Sequence, residues 1–505
     1  MTLSMELAVL AVLLPLAASV TNITSTISLS PAQTPSPGKQ MHDAIYNSFS
    51  IEFSFMVEYA GNDSHPNTFS QQVIQNLVDI SGEPPMFRVG GSTQSLAVYY
   101  PDQAEAIIDP FESIASTQPN YSFIGPAFLQ SFHQFPVDTK YIFGLNFYNP
   151  DETLFDIGDG LAQCVLEAHA AYTSLGDALY AFEIGNEVDV WPGTDMRSAN
   201  WTLDDYVKQW NHYAANISLN LTGKDDLQLF QGCVFESPRN DVANAEADGM
   251  TTKRAKTVSD HDYMGTNCGY TGVGPTIEST IFNRTLVLSI LWYHEYLGNL
   301  TRASGIPYVL GETNSIACEG AEGISDVMAS AIWAVDYVMY LSSLQVDRVH
   351  FHMCTRCRYS AWVATPFNGT DPQVYPLYYA SLFNAQVFAG GEKQTEVLVN
   401  TTSMGAYAVY AGGELESLVA VSVSIWNSTE DATARPYTAL QLPEGWEQAR
   451  VFRLTNPGVD VATDITFAGQ SVNQAGEMVG EKKYEDVLEN GVVLVGAGEA
   501  VLIQL

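Results

Sequence analysis

Short apolar runs recur along the first three-quarters of the chain, and between them the apolar positions often shift to a helical spacing. The runs cover 49–55, 86–91, 141–147, 181–187, 227–235, 257–264, 308–314 and 346–353. Runs of this length bounded by turn formers read as strands buried on both faces. The segments 68–80, 157–175, 203–219, 284–300 and 324–344 carry apolar residues at i, i+3 and i+4, which predicts amphipathic helices. Thr202 followed by Asp204 and Asp205 reads as a helix start, with a cap and then acids in the first turn. Eight strands alternating with helices predict an α/β fold, a (β/α)8 TIM barrel over residues 46–390. A doubly wound open sheet is the alternative, but no glycine-rich phosphate loop follows the first strand.

Past residue 390 the helical spacing stops. Runs at 396–399, 406–410, 418–426, 449–454 and 492–505 read as strands between Gly, Pro and Asn turns. They predict a C-terminal β-sandwich over 391–505. The Ser/Thr/Pro-rich segment 21–45 is either a linker or a strand paired to that distant sandwich. Residues 1–20 read as a signal peptide, apolar from Leu3 and ending near Ala17-Ala18-Ser19, although the run lacks Lys and Arg and contains Glu6. It is short and interrupted by Pro15, which argues against a membrane helix.

Eleven N-x-S/T sequons agree with a secreted, extracellular protein: Asn22, Asn62, Asn120, Asn200, Asn216, Asn220, Asn283, Asn299, Asn368, Asn400 and Asn427. Six cysteines, an even number, predict disulfides whose pairing the spacing leaves open. Cys354-x-x-Cys357 has zinc or redox spacing, but no second such pair exists, so neither a metal nor a cofactor is expected. With 21 Lys and Arg against 57 Asp and Glu, the net charge of -36 excludes nucleic acid as a partner, because phosphate binding needs a basic footprint. An anionic substrate would be repelled at neutral pH, and an acidic medium relieves that repulsion.

Two runs end in chemistry. Phe182-Glu183-Ile184-Gly185-Asn186-Glu187 and Tyr308-Val309-Leu310-Gly311-Glu312-Thr313-Asn314 each close on a carboxylate beside a glycine and polar residues. In a parallel barrel the C-terminal strand ends carry the active site. Two glutamates there have the makings of a glycosidase acid/base and nucleophile. The plain alternative is a pair of rim carboxylates held in ion pairs.

At this level of detail the chain resembles glycoside hydrolase family 79, which contains heparanases and secreted β-glucuronidases. Phe87-Arg88-Val89-Gly90-Gly91-Ser92, Glu183 to Glu187, His261-Asp262-Tyr263 and Leu310 to Ser315 carry the likeness, which runs from about Ile51 to Tyr359. The resemblance implies that Glu187 is the acid/base and Glu312 the nucleophile of a retaining exo-β-glucuronidase. Its substrate would be terminal glucuronic acid, 4-O-methylated or not, on a glycan or glucuronide. It further implies that Asn186 holds the sugar 2-hydroxyl, Glu52 binds sugar hydroxyls, Arg88 keeps Glu312 ionised and Tyr263 hydrogen-bonds it. Tyr359 aligns with a tyrosine that receives the uronate carboxylate. The loop before it departs from the family pattern, with Cys354, Arg356, Cys357 and Arg358 in place of glycines, so Arg358 or Arg356 is a candidate source of charge. His261 reads equally as a rim histidine. An endo-acting enzyme of heparanase type and a non-catalytic glycan-binding barrel are the other readings. The scarcity of basic residues counts against the first, and the retained glutamates count against the second.

Overall fold

The computed structural model describes residues 22–113, 116–148, 159–236, 241–250, 254–269, 274–367 and 369–505. The expected signal peptide and the Asn368 sequon lie outside the described residues. Strands β1 (Asn47–Glu52), β2 (Phe87–Gly90), β3 (Tyr141–Leu145), β4 (Leu179–Ile184), β5 (Phe230–Phe235), β6 (Ala255–Tyr263), β7 (Tyr308–Asn314) and β8 (Val349–Met353) form a closed barrel. Neighbours pair in parallel, and β8 returns to β1 through the register Phe351↔Phe49. Their residues are almost all buried, since side chains fill the interior and helices cover the outside.

The main helices are α1 (Thr68–Ser81), α2 (Gly160–Leu175), α3 (Leu203–Thr222), α4 (Arg284–Ala303), α5 (Met328–Ser342) and α6 (Pro376–Phe388). α3 starts where the sequence predicts. The Thr202 hydroxyl accepts from the Asp205 amide, and the Asp205 carboxylate accepts from the Thr202 amide at 3.0 Å. The periodicity of the chain does not reveal α6. It is buried on nearly every face, packed between α5, α1 and the C-terminal domain, so it has no polar stripe to give it a period.

The C-terminal domain is two sheets. The larger runs Lys393–Asn400, Met404–Ala411, Glu414–Ser422, Ala500–Gln504, Arg450–Thr455 and Thr466–Phe467, with Glu485–Asp486 on its edge. The smaller joins Ile23–Ser28, Tyr437–Gln441 and Val492–Gly496. The N-terminal strand thus lies parallel to Tyr437–Gln441, more than four hundred residues away in sequence. The expected single strand 492–505 is two strands, one in each sheet. The chain turns between them, where Glu499 accepts the Gly496 amide at 2.8 Å and pairs with Arg453 at 2.7 Å. The turn is Gly496-Ala497-Gly498-Glu499, with Gly498 in the left-handed region at φ +69°.

The large sheet is covered on both sides, following the period-two alternation of strands. Tyr407, Val409, Val419 and Val421 pack into the barrel core, whereas Ala406, Ala408, Leu418 and Ala420 face the small sheet. A buried polar link joins the domains. Arg284 of α4 donates to Asp336 of α5 at 2.7 Å, and the Tyr407 hydroxyl donates to the same carboxylate at 2.6 Å.

Two disulfides form, Cys268–Cys318 and Cys354–Cys357, while Cys164 and Cys233 are buried thiols. The CxxC sulfurs are therefore bonded to each other and not offered as ligands. None of the ten described sequon asparagines is buried. Among the described residues no helix is long and apolar enough to cross a membrane.

Candidate active site

Glu187 sits just past β4, where the chain leaves the barrel. Gly185 turns with φ +81°, and a side chain there would meet Val188 Cγ1 at 2.8 Å. Glu187 itself adopts a left-handed φ of +50°. A non-glycine residue in that conformation costs on the order of 1–3 kcal/mol and persists only where neighbours enforce it. Here β5 enforces it. A register shift between Cys233 and Phe235 turns the Val234 carbonyl toward the Glu187 amide, which donates to it at 2.8 Å.

Glu312 projects from β7 and is buried, with both oxygens occupied. Arg88 Nη1 donates to Oε2 at 2.5 Å and the Tyr263 hydroxyl to Oε1 at 2.7 Å. Arg88, fully buried on β2, is the hub beneath the site. Its Nη2 donates to Glu183 at 2.5 Å and to Asn186 Oδ1 at 2.7 Å, and its Nη1 also reaches Ser50 at 3.1 Å. Gln231 completes Glu183 from the other side at 2.7 Å. One guanidinium thus serves two carboxylates and orients the amide next to Glu187.

Two histidines bracket Glu312. His261 Nδ1 lies 3.0 Å from Glu187 Oε1 and 4.0 Å from Glu312 Oε2. His352 Nδ1 lies 3.5 Å from Glu312 Oε2 and 2.8 Å from Ser50, while its Nε2 lies 3.2 Å from Glu52 Oε2. Glu52 is further held by the Thr93 amide at 2.8 Å and by Gln118 at 3.3 Å. Gly91 lets its carboxylate in, since a Cβ there would stand 2.6 Å from both oxygens.

The two glutamates are driven apart in acidity. Burial raises Glu187, and the charges on Glu312 and Glu236 raise it further. Burial also acts to raise Glu312, but the His352 and His261 imidazoles, the Arg88 guanidinium and the Tyr263 hydroxyl outweigh it and hold Glu312 well below the usual carboxylate range. Burial lowers His261 to about 4, although the Glu312 charge acts to raise it. His352 is raised: burial opposes this, but the Glu312 charge and the Glu52 contact prevail. The pair therefore divides into a protonated acid and an ionised carboxylate.

Eight of the residues singled out in the sequence converge here: Glu187, Glu312, Arg88, Asn186, Tyr263, Glu52, Tyr359 and His261, which is buried against Glu187. The Tyr359 ring lies 6.1 Å from that of Tyr263 and 6.0 Å from His352. Asn314 ties it to β7, donating to the Tyr359 carbonyl at 3.0 Å and to that of His352 at 2.9 Å. Arg358 is not brought in. Its half-exposed guanidinium pairs outward with Asp326 at 3.0 Å and Glu322 at 3.2 Å. Glu183 and His352 were not assigned from sequence. Glu183 stands in the same motif as Glu187, but only the barrel shows that it faces Arg88 across the interior.

Glu187, His261 and Glu312 offer ligand atoms within 4.8 Å of one another, a spacing a divalent cation can use. Such a cation would have to displace Arg88 from a buried pair, so the donor set fits a guanidinium better than a metal.

Paired glutamates of unequal acidity at the C-terminal mouth of a parallel barrel, backed by a β-domain, make this a barrel glycoside hydrolase. Residues 406–502 match the glycosyl hydrolase family 79 C-terminal beta domain. The chain is 31% identical over 496 residues to a β-glucuronidase of Aspergillus niger, covering 91% of this chain and 88% of that one. A β-glucuronidase of Neurospora crassa is 29% identical, covering 90% and 89%. A crystal structure of a 4-O-α-L-rhamnosyl-β-D-glucuronidase from Fusarium oxysporum, in complex with Rha-GlcA, superposes with a TM-score of 0.79 at 21% identity, over 95% of this chain and 100% of that one. The chain belongs to glycoside hydrolase family 79.

Proposed function

We propose that the protein is a secreted retaining β-glucuronidase that removes terminal β-linked glucuronic acid, 4-O-methylated or not. The observation that carries the retaining mechanism is the spacing of the pair. Oxygens of Glu187 and Glu312 lie within 4.8 Å of each other. An inverting enzyme needs about 6.5–9.5 Å between its carboxyls to seat a water, whereas a retaining one needs about 5–5.5 Å. Glu312, ionised, attacks the anomeric carbon, and the bond to the leaving oxygen breaks as Glu187 gives that oxygen its proton. Glu187, now a carboxylate, takes a proton from the water that cleaves the glycosyl-enzyme. Asn186, oriented by Arg88, is positioned for the sugar 2-hydroxyl, and Glu52 for hydroxyls farther round the ring.

The names of the relatives support a uronate substrate, as does a tyrosine beside the carboxylate pair. Secretion is supported by the sequons that remain accessible and by the two disulfides. The test is hydrolysis of aryl β-glucuronide beside aryl β-glucoside and β-galacturonide, with the anomer of the first-formed product read by NMR. A first-formed α-anomer would end the retaining reading, and equal cleavage of glucuronide and glucoside the uronate reading.

Tyr359→Phe keeps the ring and removes its hydroxyl. Loss of one charge-assisted hydrogen bond is expected to lower kcat/KM on the glucuronide by about ten- to a hundredfold. Residual glucoside hydrolysis should be spared. Proportional loss on both substrates would assign Tyr359 to packing alone.

Turnover needs Glu312 ionised and Glu187 protonated. Glu312 is held low, so it is ionised throughout mildly acidic pH. Glu187 is raised, so its proton is lost only above the ordinary carboxylate range. Accordingly kcat/KM is expected to be level in mild acid and to fall as pH rises through the Glu187 pKa. The charge of -36 steepens the fall by raising KM for an anionic substrate. A profile level up to about pH 9 would contradict the assignment of the acid.

A further inference from the structure

α4 buries a stripe that includes Val287, Leu291, His294 and Leu297. His294 is a polar member of that stripe, where an apolar residue would pack without a polar group to satisfy. Its Nδ1 lies 2.7 Å from the Tyr308 hydroxyl, and its Nε2 lies 3.0 Å from Asp262 Oδ2. The tautomer with its hydrogen on Nε2 donates to the carboxylate and accepts from the hydroxyl. The ring thus bridges the start of β7 and the end of β6 from outside the barrel.

Asp262 stands between two residues of the site. Side chains alternate along β6, so His261 and Tyr263 face Glu187 and Glu312 while Asp262 faces α4. The pairing of β6 with β7 shifts register between Asp260 and His261, just before this strand end. Such an irregularity bends a strand and re-aims the residues that follow. Two contacts set the new direction. His294 holds the Asp262 side chain, and the Thr313 hydroxyl donates to the Asp262 carbonyl at 2.7 Å. That carbonyl belongs to the peptide unit that begins Tyr263. Thr313 lies between Glu312 and Asn314, and in turn accepts from the Tyr337 hydroxyl of α5 at 2.9 Å.

We propose that His294 is a positioning residue for the reaction: through Asp262 it aims the Tyr263 hydroxyl at Glu312 Oε1, to which that hydroxyl donates at 2.7 Å. The inference rests on the nucleophile role proposed for Glu312. A misplacement of about 1 Å near reacting groups costs as much as a hundredfold in rate. Glu312 faces Arg88, His261, His352, Tyr263 and Glu187, whereas Asp262 and His294 face Tyr308, Tyr337, Asp260 and Glu236. A change at His294 therefore reaches Glu312 through the end of β6. The Tyr263 bond helps to hold Glu312 low, so its loss lets Glu312 rise and moves the acid limb of kcat/KM to higher pH.

The experiment is a double-mutant cycle between His294→Phe and Tyr263→Phe, with kcat/KM on an aryl β-glucuronide measured against pH and a thermal unfolding curve for each variant. His294→Phe is expected to lower kcat/KM by about ten- to a hundredfold and to move the acid limb upward by about one pH unit. In the Tyr263→Phe background the same change should cost less than about threefold more. His294→Gln keeps an N–H donor for Asp262 and should return to within about threefold of wild type, with the limb restored. His294→Asn, whose shorter amide falls short of Asp262, gives the same test if His294→Phe does not fold. Losses that multiply across the cycle, or an acid limb that stays in place, would overturn the proposal and leave His294 a part of the core alone. The uronate reading fails separately, through cleavage of the aryl glucoside in place of the glucuronide, and the cycle is then read on the glucoside.

Discussion

Glu312→Gln is expected to lower turnover of every glycoside by about 10^4- to 10^6-fold, the scale seen when a catalytic nucleophile is removed. The amide keeps the shape of the side chain and cannot displace the leaving group. The fold should tolerate the change, because Arg88 retains Glu183 and Asn186 as partners and Tyr263 retains an acceptor. The measurement is kcat on an aryl glucuronide with a good leaving group, accompanied by a thermal unfolding curve. Good leaving groups matter here, since they remove any need for acid assistance and expose the loss of the nucleophile alone. A folded variant keeping more than about a hundredth of wild-type kcat would move the nucleophile elsewhere, with Glu52 the next carboxylate to examine.

Glu187→Ala should separate substrates by leaving group. General acid assistance contributes about 10^2- to 10^4-fold, and only poor leaving groups depend on it. Release of an alkyl or sugar aglycone should fall by that factor, whereas a nitrophenyl aglycone should leave almost as before and the glycosyl-enzyme should accumulate. Added azide needs no general base and should restore turnover, giving a β-glycosyl azide. The alkaline limb of the pH profile should vanish from the variant, because the group that produces it is gone. The backbone offers no obstacle to this substitution: alanine is no worse than glutamate at φ +50°. Equal losses on both substrate classes, with no azide product, would remove Glu187 from the acid/base role.

The fold was legible because burial on both faces leaves a plain trace in sequence. Each barrel strand needs an apolar run, and each covering helix needs an apolar stripe with a polar back, so the alternation of periods spells out the barrel. Elements without that contrast were not legible. α6 is buried nearly all round, and the run at 492–505 changes sheets over Gly496-Ala497-Gly498-Glu499, a short break between two apolar runs. The site was partly legible for a similar reason. Glu187 and Glu312 interrupt apolar runs, and a carboxylate so placed needs an explanation. Arg358 lies in the same loop as Tyr359, and nothing in the spacing tells that its side chain turns outward to Asp326 and Glu322.

By itself the sequence determined the barrel, the two strand ends that bear glutamates, the absence of a basic footprint for nucleic acid and the separate β-domain. These follow from local pattern and composition, which act residue by residue along the chain. Only the tertiary structure gives a physical reason for the two glutamates to differ in acidity. Their chemical types are identical, and what separates them is the company each keeps. Arg88, Tyr263 and His352 come to Glu312 from three other strands or strand ends, while Glu187 faces that charge from a bulge-held turn. The closing of the barrel brings these groups together from positions hundreds of residues apart, and a pKa depends on such distances rather than on order along the chain.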